Sequence, residues 1–211
     1  MELLNPTVST YLQQLAYHGD SVLTEMEERA RADGFPIVGP VVGRICYQIA
    51  RMIGARRVFE LGSGFGYSTL WFARAIAENG GGEVHYTVWD EALARDAREY
   101  LRRAGLDHLV RFHVGEAVDA LKQARGTFDL IFNDIVKHQY PASLPVIKDK
   151  LRVGGVLIVD NMLWGGRVFD EYDATEATEG VREATRLLFT DREFVATLLP
   201  VHDGVVVALR V

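Results

Sequence analysis

The sequence predicts an α/β fold built on a mostly parallel sheet, and three observations predict it. From residue 57 onward, short apolar runs alternate with stretches of helical periodicity. That alternation is the pattern of a parallel sheet covered by helices on both faces. The first run, Arg57-Val58-Phe59-Glu60-Leu61, passes into the turn Gly62-Ser63-Gly64-Phe65-Gly66 and a helix start at Tyr67. The chain closes on two runs joined by His202-Asp203-Gly204, a hairpin signal that sets the last strand antiparallel to its partner.

Residues 7–31 read as one helix, capped by Thr7 or Ser9, with Leu12, Leu15, Ala16, Leu23 and Met26 on its apolar face. Gly19 weakens its middle or divides it, and Asp33-Gly34-Phe35-Pro36 ends it. Pro40 opens a second helix, 40–53, which Gly54 stops. Its stripe Val41, Ile45, Ile49 and Met52 or Ile53 is expected to face the core. Residues 1–54 thus cap a core that starts with strand 57–61 and helix 67–79. Strand 83–89, helix 91–104, strand 109–114 and helix 116–123 follow. Strand 127–133 carries the buried run Phe128, Leu130, Ile131 and Phe132, and helix 140–151 comes next. Gly154-Gly155 reads as a turn into strand 156–160. A loop over 161–174, rich in glycine, tryptophan and acids, breaks the rhythm before helix 175–190 and strands 193–200 and 205–211.

A chain of 211 residues suits one domain, 1–211. Its net charge of −6 argues against a nucleic-acid partner, since phosphate backbones attract basic surfaces. Cys46 is the single cysteine, which excludes an intrachain disulfide and suits a reducing compartment. Among Ile45, Ile49 and Ile53 it reads as a buried thiol. Met1-Glu2-Leu3-Leu4-Asn5-Pro6 has no basic region and no long apolar run. No segment approaches the roughly 20 apolar residues that span a bilayer. The expectation is a soluble, cytoplasmic protein without a membrane partner.

Ligands of an open parallel sheet bind beyond the carboxyl ends of its strands, so the polar residues there are the candidates. At the first strand they are Glu60, Gly62, Ser63, Gly64 and Ser68. A dinucleotide fingerprint needs Gly-x-Gly-x-x-Gly, and its third glycine falls here on Phe65 or Tyr67. An acid at the strand end suits an ammonium group, and the following helix start suits a carboxylate. A ligand carrying both is an amino acid, and S-adenosylmethionine ends in one. A glycine turn of this kind also occurs in α/β proteins that bind no such ligand. Further ends carry Trp89-Asp90, Gly115-Glu116-Ala117, Asn133-Asp134 and Asp160-Asn161. Asp134, Asp160 and Asn161 are oxygen donors of the type hard divalent cations prefer, although strand-end acids also cap turns. Lys137, three residues after Asp134, is a candidate general base. Met162 and Trp164 suit the wall of a pocket for an aromatic ring, or plain core packing. Trp89 is placed to pack on a purine. The six histidines show no ligand spacing and none is assigned a catalytic role.

Together these residues resemble the cation-dependent class I O-methyltransferases: the caffeoyl-CoA and catechol O-methyltransferases and their small bacterial relatives. The resemblance is carried by Phe59 to Ser68, by Phe128 to Asp134 with Lys137 and Tyr140, by Gly154 to Gly166, and by Leu199-Pro200-Val201-His202-Asp203-Gly204. It implies a Rossmann-like class I methyltransferase sandwich, with a seven-stranded, mostly parallel sheet in the order 3-2-1-4-5-7-6 and helices on both faces. It implies S-adenosylmethionine as cofactor and Mg²⁺, or another divalent cation such as Mn²⁺ or Ca²⁺, held by Asp134, Asp160 and Asn161. Lys137 becomes the base beside the acceptor hydroxyl, with Asp134 and Asn161 in the catalytic set. Glu60, Gly62, Ser63, Gly64 and Ser68 hold the methionine end, with Trp89, Asp90, Glu116, Ala117 and Asp134 completing the cofactor site. Lys137, Met162 and Trp164 meet a small phenolic acceptor, and a homodimer is implied. Two departures stand out. Val88 occupies the place where most relatives carry a ribose-binding acid, with Asp90 as the candidate substitute. Asp134-Ile135-Val136-Lys137 lacks the second acid of the caffeoyl-CoA type, as the catechol type also does. The expected activity is methylation of a vicinal dihydroxy aromatic, and the alternative is a non-catalytic S-adenosylmethionine-binding or scaffold protein.

Overall fold

A computed structural model describes residues 5–211, so the reading of the first four residues lies outside the described residues. The expected helix 7–31 is two helices, α1 (Pro6–Leu15) and α2 (Ser21–Asp33). Gly19 breaks it with a left-handed φ of 68°, and Asp20 caps the new start by accepting from the amides of Val22 and Leu23. The cap of α1 is Asn5, which accepts from Thr7 N at 2.9 Å, with Pro6 in the first turn.

The next helix, α3 (Gly39–Met52), turns a different face inward from the one its large apolar residues suggest. Val42, Gly43, Cys46 and Ala50 are buried, whereas Met52 is 83% exposed. The reason is close approach. A Cβ on Gly43 would strike the ring of Trp71 in the helix beyond, so small residues carry the contact. Ile45 and Ile49 are left partly buried at its margin.

The alternating core is β1 (Arg57–Leu61), α4 (Tyr67–Glu78), β2 (Glu83–Val88), α5 (Glu91–Arg103), β3 (Val110–Val114), α6 (Ala117–Gln123), β4 (Phe128–Asn133), α7 (Tyr140–Lys150) and β5 (Leu151–Val159). After it come α8 (Glu176–Thr190), β6 (Phe194–Leu199) and β7 (Val205–Arg210). The seven strands form one sheet in the order β3-β2-β1-β4-β5-β7-β6, parallel except for β7, which runs antiparallel to β5 and β6. Gly154-Gly155 is not a turn. It lies inside β5, where pairing with β4 shifts register between Phe128 and Leu130. The segment expected as loop contains 3-10 turns within Trp164–Phe169, broken by a kink at Gly165 and Gly166, whose φ values are 61° and 82°.

Two apolar layers flank the sheet. Leu23, Met26, Cys46, Phe72, Tyr86 and Leu101 belong to the layer of α2 to α5. Phe59, Leu121, Ile147, Leu157, Val181 and Leu188 belong to that of α6 to α8. Among the described residues no helix is long and apolar enough to cross a membrane. Strand order reverses between β1 and β4, the neighbours that open a ligand crevice at their carboxyl ends.

Candidate active site

The glycine turn after β1 is fastened to both neighbouring strands. Asp134 N donates to Leu61 O at 2.8 Å, so the ends of β1 and β4 are joined. Thr87 on β2 donates to Glu60 O at 2.7 Å and accepts from Gly62 N at 3.0 Å. Ser63 N donates to Thr87 O at 2.9 Å, and the Tyr86 hydroxyl donates to Gly64 O at 2.6 Å. Neither Tyr86 nor Thr87 was marked by sequence, where a polar residue inside a buried strand was the only available signal.

Gly62 has φ 82°, and a Cβ there would run into the Asp134 main-chain carbonyl. Its absent side chain therefore serves the approach of β1 to β4, besides leaving room for a ligand. Gly62→Val is expected to cost about 3 kcal/mol or more in stability, from strain and overpacking together. Thermal denaturation without ligand should show that loss, and an unchanged melting temperature would contradict the packing.

Glu60 does not line the cavity. Its side chain is fully buried, and among the described residues neither carboxylate oxygen has a partner in good hydrogen-bond geometry, although the hydroxyls of Ser63, Ser68 and Thr69 lie near. Burial pushes its pKa up to about 7, although the hydroxyls of Ser68, Thr69 and Ser63 oppose the shift. The folded form therefore holds a proton that the unfolded chain, with its pKa near 4.5, releases earlier. Stability conferred by this group is full below the unfolded value and declines as pH rises toward 7. Glu60→Gln removes that dependence. At pH 8 the ligand-free variant is expected to be more stable than the wild type by on the order of 3 kcal/mol, and near pH 4.5 the two should converge. Parallel pH curves in thermal unfolding would contradict the buried-carboxyl assignment.

Asn133 and Val159 pair across β4 and β5, which brings the next residues, Asp134 and Asp160, to adjacent strand ends. Asp160 is 1% exposed and its Oδ1 has no hydrogen-bond partner among the described residues. Burial and the like charge of Asp134 raise the Asp160 pKa. Burial raises Asp134 too, and the Lys137 charge pulls it back. Lys137 is itself buried in a 3-10 turn, Lys137–Gln139. Its Nζ donates to Asp134 Oδ1 at 2.7 Å, to the Tyr140 hydroxyl at 2.9 Å and to Ile135 O at 3.2 Å. Tyr140 in turn donates to Asp160 O at 3.0 Å, and its phenol stays protonated because burial and both aspartates raise its pKa. From the other side α8 presses Gly180 against the Lys137 carbonyl, at a distance that leaves no room for a Cβ.

A cavity of about 710 Å³ lies over these strand ends. Gly62, Ser63, Gly64, Ser68, Trp89, Ala117, Asp134, Lys137, Asp160, Asn161 and Trp164 line it, all of them candidates from the sequence. Glu60, Asp90, Glu116 and Met162 do not. Glu60 is buried behind Ser63 and Ser68. Asp90 caps α5 by accepting from Ala92 N at 2.7 Å, and Glu116 caps α6 by accepting from Asp119 N at 2.6 Å. Met162 is 1% exposed and packs in the core layer of α6 to α8. Val88 lies on the wall, with no acid in its place. The sequence reading missed Phe35, Pro36, Ile37 and Val38, which cover one side, and also Ala177 and His202. The run 35–38 is apolar, which was a signal of burial, but Pro36 had marked it only as a helix breaker.

Among the described residues no group of three or more His, Cys, Asp or Glu side chains gathers as a metal cluster. The set at the ends of β4 and β5 is of another composition, two carboxylates and one amide.

Strand order, the antiparallel β7 and a cavity at the β1–β4 reversal define a class I methyltransferase sandwich. Residues 23–211 match the family model described as O-methyltransferase, and the chain belongs to that family of enzymes. It is 31% identical over 215 residues to the catechol O-methyltransferase of Niastella koreensis, with 96% of each chain covered. The crystal structure of the O-methyltransferase TomG from Streptomyces achromogenes, involved in tomaymycin synthesis and in complex with SAM, is similar with a TM-score of 0.86 and 30% identity over 97% of this chain and 96% of that one. An O-methyltransferase from Bacillus cereus in complex with SAH gives a TM-score of 0.87 and 30% identity over 97% of each chain.

Proposed function

We propose that the protein transfers the methyl group of S-adenosylmethionine to one hydroxyl of a small catechol-like phenol, with a divalent cation holding the acceptor. The cofactor assignment is supported by the glycine turn leading into α4 and by the SAM and SAH carried by the two similar structures. Ser63 and Ser68 offer hydroxyls to the methionine end, with Glu60 behind them, and the first turn of α4 offers free amides to its carboxylate. Trp89 and Ala117 flank the purine.

One observation carries the cation reading. Asp134 and Asp160 stand side by side, and Asp160 keeps a buried oxygen without a hydrogen-bond partner among the described residues. Two repelling carboxylates and an amide oxygen are hard donors, and they fit Mg²⁺, which keeps its remaining positions for water or substrate. When bound, the cation supplies a Lewis acid that acidifies the acceptor hydroxyl and orients both vicinal oxygens. Lys137, held in place by Tyr140 and the Ile135 carbonyl, would take up the hydroxyl proton from its neutral amine form, after giving up one of the three protons it donates here. Trp164 lies along the ring, and Pro36, Ile37 and Val38 screen the reacting oxygen from water. The enzyme's main contribution is alignment of that oxygen with the methyl group.

The acceptor is small. Among the described residues Lys137 is the only lysine or arginine on the cavity wall, and Asp134 already pairs with it. That leaves no unpaired lysine or arginine among the described wall residues for the phosphates of a coenzyme A ester. A panel of vicinal diols and single phenols, assayed with Mg²⁺ by mass spectrometry, should yield methylated product from the diols alone. Equal turnover of single phenols would remove the chelating role.

A further inference from the structure

The turn between β6 and β7 is fastened to the segment that follows β5. Met162 N donates to Gly204 O and Leu163 N to Asp203 O, both at 2.8 Å. The Asp203 side chain adds two bonds, accepting from Gly165 N on Oδ1 at 2.6 Å and from Asn161 Nδ2 on Oδ2 at 3.2 Å. Asn161, Trp164 and His202 take left-handed φ values of 56°, 47° and 51°, and they are the only non-glycine residues among those described to do so. Backbone of this kind persists where surrounding contacts hold it, and it gathers at functional sites.

An asparagine side chain has a donating and an accepting end, whereas an ionised carboxylate only accepts. A carboxylate beside Asn161 therefore draws the NH2 to itself and leaves Oδ1 for other partners. With the amide reversed, the NH2 would face the cation and repel it. Asp203 is not free to swing in as a ligand, because Gly165 N engages its second oxygen. Nor does the turn need this side chain to stay docked, since main-chain bonds from Met162 and Leu163 already hold it.

We propose that Asp203 is a positioning residue, which fixes the Asn161 amide so that its carbonyl oxygen, not its NH2, is presented to the divalent cation. This rests on the cation reading of the strand-end set. Partners behind a metal ligand commonly contribute 10- to 100-fold in affinity.

The test is a double-mutant cycle read by Mn²⁺ titration in electron paramagnetic resonance, on the full chain with S-adenosylmethionine present. Asp203→Ala is expected to weaken Mn²⁺ about tenfold or more and to leave S-adenosylmethionine affinity within a few-fold by calorimetry. In an Asn161→Ala background the same change should cost less than about twofold, because its effect runs through Asn161. Additive losses would overturn the proposal and assign the effect to the Asp203 charge alone. Unchanged Mn²⁺ affinity in Asp203→Ala would overturn it while leaving the cation reading in place. Failure of the wild type to bind Mn²⁺ would overturn both. If Asp203→Ala does not fold, Asp203→Asn carries the same cycle, since it keeps the shape and lets the amide at 161 reverse.

Discussion

Asp160→Ala should abolish methyl transfer while leaving the protein folded and able to bind S-adenosylmethionine within a few-fold of the wild type. The expected loss is roughly a thousandfold or more, because Lewis-acid stabilisation by a metal is worth several kcal/mol of barrier. The structure explains why activity and folding should separate here. Asp160 is buried, has an oxygen without a partner among the described residues, and faces the like charge of Asp134. That oxygen serves no donor among the described residues, so its removal relieves repulsion with Asp134, and the hydrogen bond lost is the one from the Asn161 main-chain amide to the carboxylate. The hydroxyl of Tyr140 bonds the main-chain carbonyl of residue 160, which alanine keeps. A variant that melts no earlier than the wild type, binds cofactor and makes no product meets the expectation. Product formation within tenfold of wild type would exclude Asp160 as a metal ligand.

Lys137→Ala should fail in a different way. The carboxylates and Asn161 remain, so Mn²⁺ still binds, but the proton acceptor is gone. General-base contributions of about 10²- to 10⁴-fold set the expected fall in kcat. Raising the pH should restore part of it, because an acceptor already ionised in solution needs no base. The wild type should level off at lower pH than the variant. Loss without pH rescue would instead give Lys137 a structural role, which its three hydrogen bonds and its packing under Gly180 could also sustain.

The strand-end logic made much of this site legible in advance. Gly62 to Gly64, Asp134, Lys137, Asp160 and Asn161 all reach one cavity because strand parity and parallel topology force their ends together. Position at a strand end, however, serves two purposes. Asp90 and Glu116 stand where a ligand group would, yet each caps the helix that follows. An acid one residue before a helix satisfies its free amides as readily as it would bind a ribose, and the sequence does not choose between them. Depth was equally hidden. Glu60 was placed correctly on β1, but its location behind Ser63 and Ser68 depends on how the turn folds back against Thr87. The face of α3 was misread because hydrophobic periodicity weights large side chains. Its close approach to Trp71 is made at Gly43, where a Cβ would not fit.

The most direct test of the account is methyl transfer by the wild-type enzyme to a simple catechol, before and after divalent ions are stripped by chelator. Product should disappear in chelator, with S-adenosylmethionine still binding by calorimetry, and should return when Mg²⁺ is added in excess. Undiminished product from the stripped enzyme would contradict the cation mechanism and require Lys137 to activate the acceptor without a metal.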